Sequence, residues 1–532
     1  MALMNDPQRN ESRLASAARM RQAALALALL AAAAYLVAAG SLAVDFPYWD
    51  DYYAVLDSLG KVRASETVTG KVAAVFSQHN EHRVAWLRGV ALTCWVVQGR
   101  VDFRTLIWLG NAGLIALAIT LLVGARRSVR WPSLLALIPL ALLSPIQGKQ
   151  MIWAMAAISN YWVLAFAAAA LLLLSMGTRA TFSWACLLAV LATFTSGQGL
   201  LCFPSGLALL VAERRWRRAL RWLAIMGLSA VIYFHNFTRP SYHPAPQISW
   251  TAVQFFPAAV GGALSDLACR SLAPILPNPR WEAALVPTIR AAAGLALIGL
   301  VAWLWVRRYY QRNPFVSVFL LYLLLLFATA SISRSGFGLE HALMSHYKVI
   351  SVSIVVLAAV GLLDQRYPGL GEPFPHASVL LGGTLFCLLS WCLCYPVVNA
   401  FSANLAEGRR WFVQSQDGRG VMSMPPREQA IDILWHSYLT GLLRLTDLSA
   451  QGIRLSPERL SRIATPWTQP LSASPSPAAR VVARLRWAGD DLLLIPDSVS
   501  TEASGAPGSL LLQQGKLQYV LPARAATAPK NP

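Results

Sequence analysis

Residues 22–53 read "QAALALALLAAAAYLVAAGSLAVDFPYWDDYY", and this stretch decides the class of fold. Its first part, 22–44, carries no charge. At 1.5 Å per residue, a helix of about 20 residues crosses the hydrocarbon of a bilayer. The run is longer than the apolar core of a signal peptide, and no small-residue cleavage site precedes the acidic segment that follows. With Arg9, Arg13, Arg19 and Arg21 before it, it reads as an uncleaved first span, entered from the cytoplasm. Its second part sets Asp45, Asp50 and Asp51 among Phe46, Tyr48, Trp49, Tyr52 and Tyr53. One reading is a helix exit with an aromatic belt and solvated charge. The sharper reading is a carboxylate held at a membrane surface for chemistry.

The pattern repeats along the chain. Its 532 residues are 56% hydrophobic and 13% charged, where a soluble protein has about a quarter charged. The formal net charge of +20 resides largely in short clusters between apolar runs: "GARRSVRW" (124–131), "ERRWRRALRW" (213–222) and "VRRYYQR" (306–312). Such clusters are topology signals for cytoplasmic loops rather than a nucleic-acid surface. The seven cysteines lie in or beside apolar runs, without paired metal or redox spacing, and read as packing residues.

The fold expected is an α-helical polytopic membrane protein with about 11 transmembrane helices, in a range of about 10 to 13. It has a long first outer loop and a small α+β C-terminal extramembrane domain. The spans expected are 22–44, 105–124, 132–146, 158–176, 182–196, 198–213, 219–237, 286–306, 314–331, 348–363 and 377–397. Residues 251–270 are apolar, but a crossing there would turn the later arginines outward. They read as re-entrant or interfacial. The domains are a cytoplasmic N-terminus (1–21), a transmembrane domain (22–397) that includes the outer loop 45–104, a C-terminal domain (398–521) and a disordered tail (522–532). Short apolar runs in 483–521 read as strands.

Ionisable residues gather on the inferred outer side. Asp50 and Asp51, adjacent in an extended segment, would point to opposite sides, so one of them is the candidate base. In "SQHNEHRVAW" (77–86), a helix would align His79, His82, Arg83 and Trp86 on one face, with Glu81 beside them. The spacing lacks the two histidines at i and i+4 of a zinc protease. It suits an anion such as a phosphate, or else the polar face of an interfacial helix. In "SISRSGFGLEHALMSHYK" (331–348), a helix would align His341, Ser345 and Lys348 near Arg334 and His346, cations placed against the charge rule. Lys149, His235, Arg239 and His243 form a weaker group.

This arrangement resembles the GT-C superfamily of integral membrane glycosyltransferases, which use polyprenyl-phosphate-linked sugars. The motif "YWDDYY" sits where that superfamily has its acidic motif, just after the first helix, and the likeness of architecture covers roughly residues 20–400. The resemblance implies transfer of a sugar from a polyprenyl-phosphate-sugar donor to a glycan or lipid acceptor of the cell envelope. The setting implied is a bacterial inner membrane, with the C-terminal domain in the periplasm and the sugar inverted. Asp50, or second Asp51, would be the general base. Arg83, Arg334 and Lys348 would neutralise the leaving phosphate. Asp45, Trp49, Tyr52, His79, Glu81, His82, His341 and His346 complete the candidate substrate-binding set. No D-x-D spacing is present, so a divalent metal ion stays an open cofactor. The competing classes are a transporter or flippase of lipid-linked saccharides, a membrane acyltransferase with His79, His82 or His341 as base, and an assembly factor for envelope polysaccharide. Nucleic acid is not an expected partner; membrane lipid is.

Overall fold

A computed structural model of the chain describes residues 7–126, 132–273, 279–366, 374–416, 418–423, 426–445, 453–463, 480–488, 491–496, 509–513 and 516–519. The expected disordered tail, 522–532, lies outside the described residues.

The apolar runs are helices because a backbone amide in hydrocarbon has no water to bond and must find its partner inside the protein. In chain order, α1 (Pro7–Leu42) is followed by three short helices, α2 (Ser58–Ala64), α3 (Val68–Phe76) and α4 (Ala85–Gln98). Next come α5 (Phe103–Ala125), α6 (Pro132–Leu142), α7 (Ala154–Met176), α8 (Arg179–Thr195), α9 (Cys202–Ala212) and α10 (Trp216–Phe234). Then follow α11 (Trp250–Val260), α12 (Gly262–Leu272), α13 (Pro279–Val306), α14 (Tyr309–Arg312), α15 (Pro314–Arg334), α16 (Ser345–Arg366) and α17 (Phe374–Ser415). The last two are α18 (Arg427–Leu439) and α19 (Pro457–Ile463).

Among the described residues, seven helices are long and apolar enough to cross a membrane: Ala18–Leu42, Phe103–Ala125, Ala154–Met176, Leu285–Val306, Pro314–Phe337, Ser345–Arg366 and Ala377–Ser415. The pair α11–α12 makes eight if it counts as one span. The protein is therefore a polytopic, mostly helical membrane protein. The four other expected segments fall on α6, α8, α9 and α10. Of these, α8 and α9 are apolar but short, while α10 opens on Arg217, Arg218 and Arg221.

The chain divides into two compact units. The first comprises Met1–Ala43, Asn80–Arg83 and Ile107–Phe401; the second comprises Val44–His79, Val84–Leu106 and Ser402–Pro532. The residues of the expected loop 45–104 thus group mainly with the C-terminal segment, whereas the sequence reading grouped them with the spans. Within this second unit, Trp49 N–H donates to Met422 C=O at 2.8 Å, Val101 N–H donates to Leu442 C=O at 2.6 Å, and the Tyr53 hydroxyl donates to Pro426 C=O at 3.2 Å. Trp435 of α18 is fully buried against Phe412, which also meets Phe46. Strands β1 (Ile453–Leu455), β2 (Arg480–Ala488), β3 (Asp491–Pro496), β4 (Ser509–Gln513) and β5 (Lys516–Tyr519) form one antiparallel sheet in the order β1-β3-β2-β4-β5.

In the first unit, the segment expected to be re-entrant or interfacial is α11 and α12, bent by 80° about Gly261. Pro257 inside α11 removes one amide donor, and two glycines at the break free the chain to turn. Turning leaves backbone groups without helical partners. Ser351 of α16 supplies them: its Oγ donates to Val260 C=O at 2.8 Å and accepts from Ala263 N–H at 2.9 Å. Lys348 Nζ donates to Gly262 C=O at 2.9 Å. On the other side Gly294 of α13 lies against the break; a Cβ there would come within 1.8 Å of the Pro257 carbonyl oxygen. Ser351→Ala should therefore destabilise the protein by about 1–3 kcal/mol, since it orphans a buried donor and a buried acceptor together. Thermal unfolding in detergent checks this, compared with Ser353→Ala two residues on, whose hydroxyl donates within its own helix to Val349 C=O at 2.7 Å.

Candidate functional site

In the second unit the acidic segment is a tight turn rather than an extended strand. Asp51 N–H donates to Tyr48 C=O at 3.0 Å, and Tyr48 N–H donates to Asp51 Oδ2 at 3.1 Å. The Asp51 carboxylate, 1% exposed, thus closes the turn it belongs to. A π-helical turn, Tyr52–Asp57, starts at once, with Ala54 N–H bonded to Asp50 C=O. The expectation that two neighbouring acids point to opposite sides of an extended chain is corrected: both are buried, and they differ in partner rather than in exposure. Asp50 Oδ1 lies 3.3 Å from His79 Nε2, a contact between two almost fully buried side chains. Trp49 just before it has φ +54°, a left-handed backbone that few bulky residues adopt, and is held there by its bridge to Ser423. Its ring is partly exposed beside Tyr48, whereas Tyr52 is wholly buried.

Asp45 has a different task. Its Oδ1 accepts from Phe103 N–H at 2.8 Å, and its Oδ2 lies 3.9 Å from Arg100, which ties the segment to the first turn of α5. Burial raises its pKa to about 6; the Phe103 N–H opposes that rise, and Asp102 adds to it. Arg88, in α4, is also buried. It staples α4 to the preceding loop, donating to Val75 C=O at 3.1 Å, to Ser77 Oγ at 2.9 Å and to Ser77 C=O.

The first unit holds a second cluster. Residues 77–84 are not helical, so His79, His82, Arg83 and Trp86 do not share a helix face; α4 begins only at Ala85. The break has a local cause: Asn80 takes a left-handed φ of +51°. Glu81 is the hub of this cluster. It pairs with Arg334, its Oε2 lies 2.8 Å from His243 Nδ1, and its Oε1 lies 3.8 Å from His82 Nε2. His82 Nδ1 accepts from Gly197 N–H at 3.3 Å. Arg83 donates through Nε to Tyr233 C=O at 2.6 Å and through Nη2 to His235 C=O, while the Tyr233 hydroxyl returns a bond to Glu81 C=O at 2.9 Å.

The 331–348 segment is also broken. Two 3₁₀ turns, Ser335–Phe337 and Leu339–Leu343, precede α16, and Met344 is extended between them and the helix. His341 therefore does not share a helix face with Ser345 and Lys348. It stacks on Phe337 at 5.1 Å instead, and Phe337 also meets His243 edge-on and lies beneath the Arg334 guanidinium. Burial, with Arg334 and His243 nearby, pulls the His341 pKa down to about 4, so it is neutral at pH 7. His346 packs edge-on against Tyr347 at 4.1 Å. Lys348 turns away to Asp266 at 3.2 Å. His243, placed by sequence in the weakest group, belongs to the Glu81 cluster. Asp266 was overlooked, although an acid inside the apolar 251–270 run was a usable signal. Among the described residues, no three or more His, Cys, Asp or Glu side chains are gathered as metal ligands. No family model, no curated protein and no solved structure matches this chain.

Asp45 gives a pH test. Its folded pKa, about 6, lies above the ordinary carboxylate value, so the native state holds the proton more tightly than the unfolded chain does. Its contribution to stability is full below pH ~4 and is lost as pH rises through ~6. Asp45→Asn keeps an oxygen for Phe103 N–H but cannot titrate. Its melting temperature relative to the unmutated protein should rise between pH 4 and pH 7.

Proposed function

We propose that this protein is a membrane glycosyltransferase that moves a sugar from a polyprenyl-phosphate donor to an envelope glycan or lipid acceptor. The observation that carries this reading is the division of labour between two adjacent acids. Asp51 is consumed by the Tyr48 amide, while Asp50 keeps a carboxylate oxygen against an imidazole, 3.3 Å from His79 Nε2, beside the partly exposed ring of Trp49. A buried carboxylate with an imidazole beside it suits a general base. Asp50 takes the proton of the acceptor hydroxyl, that oxygen attacks the anomeric carbon, and the bond from that carbon to the phosphate oxygen breaks with inversion. Polyprenyl phosphate leaves, and its developing charge requires cations. The sequence reading assigns that role to Arg83, Arg334 and Lys348; within the first unit Arg83 bonds the Tyr233 carbonyl, Arg334 pairs with Glu81 and Lys348 with Asp266. It places eleven crossings in a bacterial inner membrane, with the C-terminal segment as a periplasmic α+β domain.

The test is mass analysis of lipid-linked sugars and envelope glycans in a deletion strain carrying the gene unaltered, with Asp50→Asn, or with Asp51→Asn. Asp50→Asn should lower transfer by about 10²–10⁴-fold with the fold intact. Asp51→Asn should lower the melting temperature and leave transfer largely in place. Full transfer by Asp50→Asn would remove the catalytic assignment. A second reading, transport of lipid-linked saccharides, draws on the pair of buried Lys348 and half-buried Asp266 beside a broken helix. Movement of labelled lipid-linked sugar across reconstituted vesicles, with no transfer to any acceptor, would favour it.

A further inference from the structure

The bent pair α11–α12 ends at a cavity of about 160 Å³ in the first unit. Its walls are Leu272, Leu285, Val286 and Ile289, and two guanidiniums, Arg270 and Arg290, line it as well. Arg270, on the last turn of α12, has a side chain 39% exposed; its Nε lies 3.2 Å from Asp266 Oδ1 and makes no hydrogen bond among the described residues. Arg290, on α13, pairs at 2.7 Å with Glu340, whose side chain is 79% exposed. Lys348, 3.2 Å from Asp266 Oδ2, completes the group.

The charges do not balance. Lys348 and Arg270 share the single carboxylate of Asp266, and Arg290 has only the solvent-facing Glu340. Three basic side chains thus meet two acids, and the partly exposed Arg270 and the largely buried Arg290 both line the cavity. An excess of basic groups beside apolar walls is a setting that an anion completes. Two arginines suit a phosphate, which their planar forks can grip with two parallel hydrogen bonds each. The aliphatic walls suit a hydrocarbon chain. We infer that the Arg270–Arg290 cavity binds the phosphate head of an amphiphile, with its first chain carbons against Leu285, Val286 and Ile289. This inference goes beyond the transfer reaction and does not depend on it, because binding is read directly.

The experiment uses the full chain in detergent or nanodiscs, with dodecyl phosphate as probe and dodecanol and inorganic phosphate as controls. Binding is followed by native mass spectrometry and titration calorimetry. Dodecyl phosphate should bind saturably and dodecanol at least about tenfold more weakly. Arg270→Gln and Arg290→Gln should each weaken the phosphate probe by about tenfold or more. Ile289→Trp keeps both charges but fills the cavity, and should weaken it as well, so the test survives if an arginine variant fails to fold. Inorganic phosphate at equal concentration should not displace the probe; if it does, the ligand is free phosphate and the lipid assignment falls. Equal affinity for dodecanol, or unaltered affinity in the folded variants, would overturn the site.

Discussion

Hydrocarbon offers no hydrogen bonds, and the membrane unit is organised around that constraint. Long helices meet it alone. The break at Gly261 does not, because a bend of 80° strands the carbonyl of Val260 and the amide of Ala263. One hydroxyl, that of Ser351, answers both, and Lys348 takes the next carbonyl. Lys348 in turn needs an acid, which Asp266 provides from the segment that bends. A backbone break, a serine, a lysine and an aspartate are therefore one device.

The same economy governs the Glu81 cluster. One partly buried carboxylate meets Arg334 and His243 and lies near His82, while Arg83 next to it caps the carbonyls of Tyr233 and His235 at the end of α10. Breaking an ion pair of this kind leaves a charge without compensation, which costs more than the pair itself contributes. The cluster is thus held in place by its own electrostatics. His341, made neutral by burial and by Arg334, fills the remaining space as an aromatic ring rather than as a charge.

The acidic motif shows how similar residues separate by environment. Asp45, Asp50 and Asp51 lie within seven consecutive positions and meet different neighbours: the Phe103 amide, the His79 imidazole and the Tyr48 amide. Two of these bonds shape the backbone. Asp50 is the acid whose nearest ionisable neighbour is an imidazole, and the functional reading rests on it.

The spans were legible in the sequence because apolar runs and arginine-rich loops answer directly to the membrane, residue by residue. The run 22–44, the spans on α5, α7, α13, α15 and α16, and the apolar break in 251–270 all follow from composition and length. The acidic motif was legible too, since three acids at the end of an apolar run are conspicuous. The partners were not. The faces proposed for 77–86 and for 341–348 assumed continuous helices, and Asn80 and Met344 interrupt them. Glu81 meets His243 across more than a hundred residues of chain, and Lys348 meets Asp266 across a helix break. Sequence by itself marked the seven helices that are long and apolar enough to cross a membrane, among eleven segments it proposed, because that depends on each segment's own transfer from water. Only the tertiary structure decided which charge neutralises which, because pairing depends on distances that packing sets.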